Sequence, residues 1–485
     1  MKFNENLVHI FPFDEERIML DINTGLVHSL DRPAYAFVEL WKASGAHLDQ
    51  VCSLAAKLKE GGNISGGGPG SPALVLSEES RRVLAETDAG ELEEIREALV
   101  QLIAGGGLLA EAPELEGFSM PKDHVVKALC LHVAHDCNLR CRYCFAGTGA
   151  FGGDRSLMSL EVGKAALDFL FESSGKRQHV EVDYFGGEPL MNFDVVKELI
   201  LYGREESRRR GKVLKQTLTT NGVLLAGEIL EFLNREEVAL VLSLDGRREV
   251  NDRMRPAVNG KGSYDVILPH FKKAAARRGW DNYYLRGTFT RYNKDFFADV
   301  RHMIEEGFDL VSEEPVVADP GEPYAFQPED LPELFQQYEQ LARFYVEREK
   351  AGKPFLFFHF NLDLDRGPCL PKRLSGCGAG HEYMAVAPEG TLYPCHQFVG
   401  NPDFALGNVR DGVQKPEIGL RFRDSHVLSK EKCRDCWARF YCSGGCHANA
   451  WNFNGSLRAP YDLGCELEKK RLECALWIKV KEAEI

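Results

Sequence analysis

Three cysteines within eight residues have the clearest potential for chemistry in this chain of 485 residues. They are Cys137, Cys141 and Cys144 in the run CNLRCRYC, directly after a predicted β-strand. Three thiolates this close can bind three irons of a [4Fe-4S] cluster and leave the fourth iron without a protein ligand. That iron could bind and reduce a substrate or cofactor. A structural zinc site is the alternative, but it needs four ligands and usually a second cysteine pair.

A second concentration of cysteines lies near the carboxyl terminus. Nine of the 14 cysteines occur from Cys369 onward, and in a large chain without an export signal this crowding favours metal binding over disulfides. Seven of them form an ordered pattern: Cys377, Cys395, Cys433, Cys436, Cys442, Cys446 and Cys465. The two closely spaced pairs in that pattern could instead form zinc knuckles. Cys474 follows the pattern on a predicted helix and is expected to be a buried thiol.

Further candidate residues lie at predicted strand ends. The run GGEP (Gly186–Pro189) follows a strand, and its glycines would let the backbone approach a ligand closely. Ser243 ends another predicted strand, and Arg286 lies within the next one. Taken singly, such residues are more often structural than functional. Asn221, in the run TTNG, is expected only to make a turn.

The elements that must position these residues alternate between β and α from Val125 onward. Six predicted strands cover residues 128–133, 179–184, 216–219, 239–244, 283–288 and 309–313. Five predicted helices cover residues 159–173, 194–209, 226–234, 264–277 and 294–306. This alternation predicts an α/β fold with a parallel sheet and chemistry at the carboxyl ends of its strands. Six repeats are too few for a closed eight-stranded barrel, so we predict a partial (β/α)6 barrel over residues 125–350.

Two smaller regions flank the predicted barrel. Residues 1–115 contain a predicted hairpin, Arg17–Asp21 with Leu26–Leu30, and predicted helices at Pro33–Trp41 and Glu91–Ile103. A glycine-rich tract, Gly61–Pro72, is expected to be a loop. The strand edge of such a module could add a peptide strand. After the barrel, cysteine, glycine and aromatic residues increase, which predicts a metal-organised domain over residues 365–475.

The charge balance limits the class of partner. The chain has 73 acidic and 59 basic residues, a formal net charge of -14, which argues against broad capture of nucleic acid or anionic lipid. The amino terminus lacks a basic segment followed by an apolar one, and no apolar stretch approaches 18 residues. We therefore predict a cytoplasmic protein without a nucleic-acid or membrane partner.

The spacing of Cys137, Cys141 and Cys144, with an aromatic residue before the last, resembles the radical S-adenosylmethionine (SAM) superfamily. In that family SAM fills the open cluster position through its amino and carboxylate groups. The resemblance implies that six residues contact SAM: Tyr143, Gly186, Gly187, Glu188, Ser243 and Arg286. The GGEP run would meet the methionine amino group, and the serine and arginine would meet the ribose or the carboxylate. The tyrosine would lie behind the adenine, or it could simply pack.

The carboxyl-terminal pattern resembles the SPASM domain, which carries two auxiliary iron–sulfur clusters in radical SAM enzymes that act on peptides. The resemblance implies that the first auxiliary cluster is held by Cys377, Cys395 and Cys446, and the second by Cys433, Cys436, Cys442 and Cys465. With the SAM-binding cluster this makes three [4Fe-4S] clusters. The first auxiliary cluster lacks one ligand, which either Cys369 or a substrate thiolate could supply.

At full length the chain resembles the maturases of SCIFF peptides, small precursors with six cysteines. The stretches that carry this resemblance are residues 7–41, 131–155, 185–192, 251–290, 314–324, 367–398 and 433–474. Residues 1–115 would then be a winged-helix-like, PqqD-like domain that holds the leader of a Cys-rich precursor peptide. A low-potential flavodoxin or ferredoxin would be the electron donor.

The implied reaction joins a cysteine sulfur to a carbon of an acceptor residue, threonine, in the same peptide and removes two hydrogens. A reduced cluster would donate an electron to SAM, and the resulting 5′-deoxyadenosyl radical would take hydrogen from the acceptor carbon. A sulfur held on the first auxiliary cluster would then close the bond. The cofactors do the difficult chemistry, so no acid–base residue or nucleophile is assigned.

Two alternatives remain open. Another SPASM enzyme could join cysteine to Asp or Glu, or form formylglycine, although the amino-terminal module favours a leader-bearing peptide over a sulfatase. A zinc-stabilised peptide-binding adaptor would explain the carboxyl-terminal cysteines but would leave the CNLRCRYC and GGEP runs without a role.

Overall fold

The computed structural model describes residues 1–60, 75–112, 115, 119–121, 125–364 and 370–484. Two sequence predictions lie outside the described residues: the Gly61–Pro72 loop and the candidate ligand Cys369.

The amino-terminal module combines a small antiparallel sheet with helices. Its strands and helices are β1 (Val8–Phe13), β2 (Glu16–Asp21), β3 (Val27–Ser29), α1 (Arg32–Ser44), α2 (Leu48–Lys59), α3 (Glu78–Glu86) and α4 (Ala89–Ala104). The strands pair in the order β1-β2-β3. Helix α1 begins where the Asp31 carboxylate accepts the Ala34 N–H, with a proline in the first turn. The predicted hairpin is therefore present, whereas β1, α2 and α3 were not predicted.

The central region is the predicted partial (β/α)6 barrel, which the structure confirms. Its six barrel strands are β4 (Ala128–Ala134), β5 (His179–Gly186), β6 (Val213–Thr220), β7 (Ala239–Ser243), β8 (Tyr283–Phe289) and β9 (Leu310–Pro315). Its helices are α5 (Leu160–Ser173), α6 (Phe193–Arg209), α7 (Gly227–Arg235), α8 (Arg248–Met254), α9 (Tyr264–Ala276), α10 (Phe296–Glu305) and α11 (Leu331–Lys350). Neighbouring barrel strands are parallel throughout.

The carboxyl-terminal region is built from short elements and one long final helix. They are β10 (Leu356–Phe357), α12 (Leu370–Ser375), β11 (Tyr383–Val386), β12 (Thr391–Tyr393), β13 (Gly407–Asn408), β14 (Gly412–Val413), α13 (Pro416–Arg423), α14 (Glu431–Arg434), α15 (Arg439–Cys442), α16 (His447–Asn454) and α17 (Asp462–Glu482).

One sheet runs through both the barrel and the carboxyl-terminal region. Its order in the described residues is β10-β9-β8-β7-β6-β5-β4-β11-β12-β13-β14. Strand β11 pairs in parallel with β4, so that Tyr383 lies opposite Ala128 and Val386 opposite Leu131. The carboxyl-terminal region therefore extends the barrel sheet directly beside the strand that leads into the Cys137–Cys144 loop.

The strands of the barrel separate an apolar outer layer from a polar lumen. On β5, Val180, Val182 and Tyr184 are buried in the main core against the helices. Successive side chains of a strand point to opposite faces, so Asp183 and Phe185 face the lumen. Both side chains are partly exposed there.

The amino-terminal sheet is buried on both faces. Ile10 and Met19 belong to a core shared with its own helices, whereas Phe13 and Leu20 belong to the main core. The Phe13 ring stacks on Trp477 of α17 with centroids 4.5 Å apart. Among the described residues, no helix has the length and apolarity needed to cross a membrane.

Candidate active site

The three-cysteine loop leaves β4 at the carboxyl end of the barrel and is held by backbone contacts. The Arg140 N–H donates to the Pro256 carbonyl at 2.7 Å, and the Arg142 N–H donates to the Met254 carbonyl at 2.9 Å. The end of α8 and the segment that follows it therefore fix the loop that carries Cys137, Cys141 and Cys144. Burial raises the pKa of Cys137 to about 11 and that of Cys141 to about 12.

Asn221 lies beside this loop and does more than make a turn. Its side-chain amide donates to Cys137 Sγ at 3.6 Å and to Asn138 Oδ1 at 2.8 Å. The side chain is buried. The sequence signal is the run TTNG at the end of a predicted strand, which by itself predicts only a turn. The structure adds Asn221 to the candidate site as a donor to a ligand sulfur.

The two glycines of the GGEP run pack against the backbone of the cysteine loop. A Cβ atom at Gly186 would lie 2.3 Å from the Ala134 carbonyl oxygen, and one at Gly187 would lie 2.3 Å from the Asp136 carbonyl oxygen. The Gly187 N–H donates to Ala134 at 2.8 Å. Only glycine fits at either position, because any side chain would collide with backbone atoms. The run thus joins the end of β5 to the cysteine loop.

Glu188 is fully buried, and its carboxylate is used within the protein. It accepts the Leu190 N–H, the Thr220 hydroxyl and the Asn221 N–H at 3.0, 2.8 and 2.8 Å. Burial raises the pKa of Glu188 to about 7. The side chain therefore orients the Asn221 turn, and the part of the GGEP run available to a ligand is its backbone.

Tyr143 has a hydroxyl anchored between two buried charged groups. It donates to Asp245 Oδ2 at 2.6 Å and accepts from Arg255 at 2.8 Å. Arg255 and Asp245 also form an ion pair at 3.7 Å. Arg255 lowers the pKa of Cys141 against the effect of burial, because its positive charge favours the thiolate. Sequence reasoning missed Arg255, which lies over a hundred positions from the loop it supports.

Ser243 and Arg286 are brought together at the lumen. They lie opposite each other in the pairing of β7 with β8. The Arg286 guanidinium is half exposed, and its ion pair with Glu314 is long, at 4.0 Å. It is therefore free to bind an anionic group that enters the lumen.

The carboxyl-terminal cysteines separate into two groups. One group contains Cys377, Cys395 and Cys446. These residues are close enough for a thiolate in the group to raise the pKa of the Cys377 and Cys395 thiols. The other four, Cys433, Cys436, Cys442 and Cys465, line one cavity of about 680 Å³. The resemblance to the SPASM domain assigns one auxiliary cluster to each of these groups.

Lys430 is a buried cation between the two cysteine groups that sequence reasoning missed. Its Nζ donates to the Gly444 carbonyl at 2.6 Å. Burial lowers the pKa of Lys430, and thiols from both groups, including Cys446 and Cys433, raise it. No local sequence signal marks this lysine, although its charge offsets the negative charge of nearby thiolates.

The donors at both ends of the chain are cysteines. Thiolates are the ligands that hold [4Fe-4S] clusters, with each cysteine bound to a different iron. The described cysteines are free of disulfides, so their sulfurs are available as ligands. The donor set therefore fits iron–sulfur clusters.

Comparison with known proteins identifies the class. The signature of the radical SAM superfamily matches residues 131–302, and that of the SPASM iron–sulfur cluster-binding domain matches residues 377–437. The chain is 22% identical over 368 residues to the radical SAM cyclopropyl synthase TigE of Paramaledivibacter caminithermalis, covering 71% of this chain and 72% of TigE.

Two solved structures share the fold. Native anSMEcpe with bound AdoMet has a TM-score of 0.62 and 20% identity, covering 74% of this chain and 100% of that chain. Streptococcus suis SuiB bound to precursor peptide SuiA has a TM-score of 0.50 and 18% identity, covering 95% of this chain and 98% of that chain.

The fold and the cysteine loop define an enzyme that combines SAM with an iron–sulfur centre. Residues 131–302 match the radical SAM superfamily and residues 377–437 match the SPASM domain, so the chain is a radical SAM enzyme whose cofactors are SAM and iron–sulfur clusters.

Proposed function

We propose that this enzyme joins a cysteine sulfur to a carbon of an acceptor residue, threonine, within a small Cys-rich precursor peptide. One contact carries this proposal. Phe145, directly after Cys144, lies 5.5 Å from the ring of His396, directly after Cys395. The loop proposed for the SAM-binding cluster and the loop proposed for the first auxiliary cluster therefore contact each other, and we infer a shared chamber between them where a carbon and a sulfur of one peptide could meet.

Three [4Fe-4S] clusters fit the three cysteine groups: Cys137, Cys141 and Cys144; Cys377, Cys395 and Cys446; and Cys433, Cys436, Cys442 and Cys465. We propose that the backbone at Gly186 and Gly187 receives the methionine part of SAM, with Ser243 and Arg286 at its carboxylate or ribose. When bound and reduced, these cofactors supply the removal of a hydrogen atom from an unactivated carbon.

The protein itself orients the reactants and excludes water from them. Asn221 donates to Cys137 Sγ, and Arg255 fixes the Tyr143 hydroxyl. Phe185 lies 5.3 Å from His396, so aromatic rings line the chamber wall between the two loops. An apolar wall of this kind protects a reactive carbon from side reactions.

The amino-terminal module is proposed to hold the leader of the precursor. In the described residues β3 pairs only with β2, so its other edge can add an extended peptide strand. SuiB, whose solved complex contains a precursor peptide, covers this part of the chain as well. The resemblance to SCIFF maturases indicates a six-cysteine precursor, and a flavodoxin or ferredoxin as electron donor.

We further propose that the reaction takes place in the cytoplasm. The described cysteines are all free thiols, which suits a reducing compartment.

The test is incubation of the reconstituted enzyme with a six-cysteine precursor peptide, SAM and a reductant. We expect each crosslink to remove two hydrogen masses, with tandem mass spectra locating a Cys–Thr bond. The Cys141→Ala variant should leave the peptide unchanged. If the product contains a Cys–Asp or Cys–Glu bond, or an aldehyde, the enzyme carries out one of the related peptide modifications and this proposal is wrong. Zinc without acid-labile sulfide would indicate the adaptor.

A further inference from the structure

Asp183 is a lumen carboxylate that none of the cofactor contacts uses. It lies on β5, three residues before Gly186, and is partly buried. The Thr219 hydroxyl donates to the two carboxylate oxygens of Asp183 at 3.3 and 3.4 Å, and both hydrogen bonds are long. Among the described residues it forms no salt bridge; Arg286 on β8 is the cation that acts on it from a distance. A carboxylate in this setting costs folding energy rather than adding to stability.

The groups that act on Asp183 come from four strands around it. They are Cys130 on β4, Thr219 on β6, Tyr284 and Arg286 on β8, and Tyr383 on β11. Burial raises the pKa of Asp183 to about 7, and Thr219 and Arg286 offset burial only in part. Asp183 therefore exchanges a proton near neutral pH.

A second lumen carboxylate behaves differently. Glu314 on β9 pairs with His359 at 3.2 Å and with Arg471 at 3.5 Å. Although burial raises the pKa of Glu314, the neighbouring His359 and Arg471 side chains hold that pKa below its ordinary value. When the environments of two carboxylates in one site give them different pKa values, the two groups take different acid–base roles. Glu314 is a fixed anion, and Asp183 is the group able to accept a proton.

The proposed reaction needs such an acceptor. An S–H bond and a C–H bond break, and one S–C bond forms. The hydrogen atom from carbon ends on 5′-deoxyadenosine as SAM is consumed to methionine, and one electron enters and one leaves through the clusters. The remaining product is the thiol proton, and a thiol with an ordinary pKa of about 8.5 holds that proton at neutral pH.

We propose that Asp183 is the catalytic base that accepts the proton of the substrate cysteine, an inference that rests on the proposed thioether-forming function. Its position supports this role, because Phe185, two residues further on the same face, contacts His396 beside Cys395. The carboxylate thus lies on the lumen face that leads to the chamber between the two cysteine loops.

The first test compares Asp183→Asn and Asp183→Glu in the reconstituted holoenzyme with a six-cysteine precursor peptide. In the unmodified enzyme the crosslinking rate should fall as pH drops below about 7, because the base is protonated. Asp183→Asn should crosslink about 100-fold more slowly and lose this acid limb, while still forming 5′-deoxyadenosine. Asp183→Glu should keep the limb. The control is Glu181→Gln, a carboxylate on the same strand and face that pairs with Lys127.

The second test does not depend on turnover. The precursor is bound to holoenzyme without SAM or reductant, and iodoacetamide labelling of its cysteines is read by mass on the peptide. Labelling should be faster with the unmodified enzyme and Glu181→Gln than with Asp183→Asn, since only a carboxylate base produces bound thiolate.

Unchanged crosslinking with an unchanged acid limb in Asp183→Asn would overturn the proposal, as would loss of peptide binding or of 5′-deoxyadenosine formation in that variant. If the unmodified enzyme forms no thioether, the proposed function is wrong. The labelling experiment then tests the role of Asp183 by itself, and equal labelling of the peptide with the unmodified enzyme and with Asp183→Asn would refute that role.

Discussion

The imidazole ring of His9 lies flat against the indole of Trp437, with centroids 3.9 Å apart and planes 4° apart. His9 belongs to β1 of the amino-terminal module, and Trp437 directly follows Cys436. The His9 Nε2 atom also contacts Glu473 of α17 at 3.1 Å. The module proposed to bind the leader is thus packed directly against the cysteine group proposed to hold the second auxiliary cluster.

His9→Ala should loosen this contact. Loss of the ring stack and of the Glu473 partner should destabilise docking of the module by about 1–2 kcal/mol. We expect faster hydrogen exchange of the β1 amides with unchanged iron content. The matched control is His179→Ala, an exposed histidine at the start of β5. Unaltered exchange in β1 would show that the stack does not hold the module in place.

The metal content should reveal three clusters. We expect about 12 iron and 12 sulfide per chain after anaerobic reconstitution, because each cubane holds four of each. Cys465→Ser should reduce both counts to about 8 by removing one cluster. Cys474→Ser should not change them, since this cysteine is fully buried on α17 among apolar residues. A count of about 4 for the unmodified enzyme would contradict the two auxiliary clusters.

Asn221→Ala should alter the redox behaviour of the SAM-binding cluster. Hydrogen bonds to cluster sulfurs stabilise the reduced state of the cluster. Loss of the amide that donates to Cys137 Sγ should therefore make the reduction potential more negative, by roughly tens of mV. A redox titration followed by electron paramagnetic resonance measures this. Asn259→Ala, an exposed asparagine, is the control. Equal potentials would mean that the Asn221 contact has no electronic effect.

Arg286→Ala should weaken SAM binding about 10- to 100-fold, because a charge-assisted hydrogen bond to a carboxylate contributes about 1.5–3 kcal/mol. Equilibrium binding of SAM to the reconstituted enzyme measures the change. Arg301→Ala, on the exposed face of α10, should bind SAM normally. If Arg286→Ala also binds normally, the arginine is not a SAM contact.

Glu313→Gln should stabilise the fold, and more so at higher pH. Both carboxylate oxygens of this fully buried residue lack a hydrogen-bond partner among the described residues. Burial raises the pKa of Glu313 well above its ordinary value, with Asp299 and Asp245 adding to the effect. Above about pH 4.3 the unfolded state releases the Glu313 proton, whereas the folded state keeps it. The contribution of Glu313 to the free energy of unfolding therefore falls as the pH rises from about 4.3 towards the pKa of the folded state.

The amide variant cannot ionise, so its gain should be small at pH 5 and reach about 1–3 kcal/mol at pH 8. Thermal unfolding at the two pH values measures this difference. Glu329→Gln, an exposed residue, should change neither midpoint. A gain that does not grow with pH would mean that Glu313 is already ionised in the folded state.

The elements of the barrel could be predicted because their signals are local. Strands β4 to β9 are short stretches with recurring aliphatic, aromatic or β-branched residues, separated by helices with apolar residues at helical spacing, and the cysteine loops are defined by spacing alone. Strand β1 was missed because its run VHIFPF is largely buried on both faces, so the alternation that marks a half-exposed strand is absent.

What the amino-acid sequence determined by itself was the chemistry of the site: the CNLRCRYC loop, the glycines beside it and the order of the later cysteines. These depend on residues close together in the chain, whose covalent spacing limits their geometry. The contacts between residues that are distant in the chain follow from the tertiary fold. The pairing of β11 with β4 brings Cys395 to the barrel, and the order of strands places Asn221 beside Cys137. Such contacts depend on sheet order and register, which are set by packing of the whole chain and not by any local pattern.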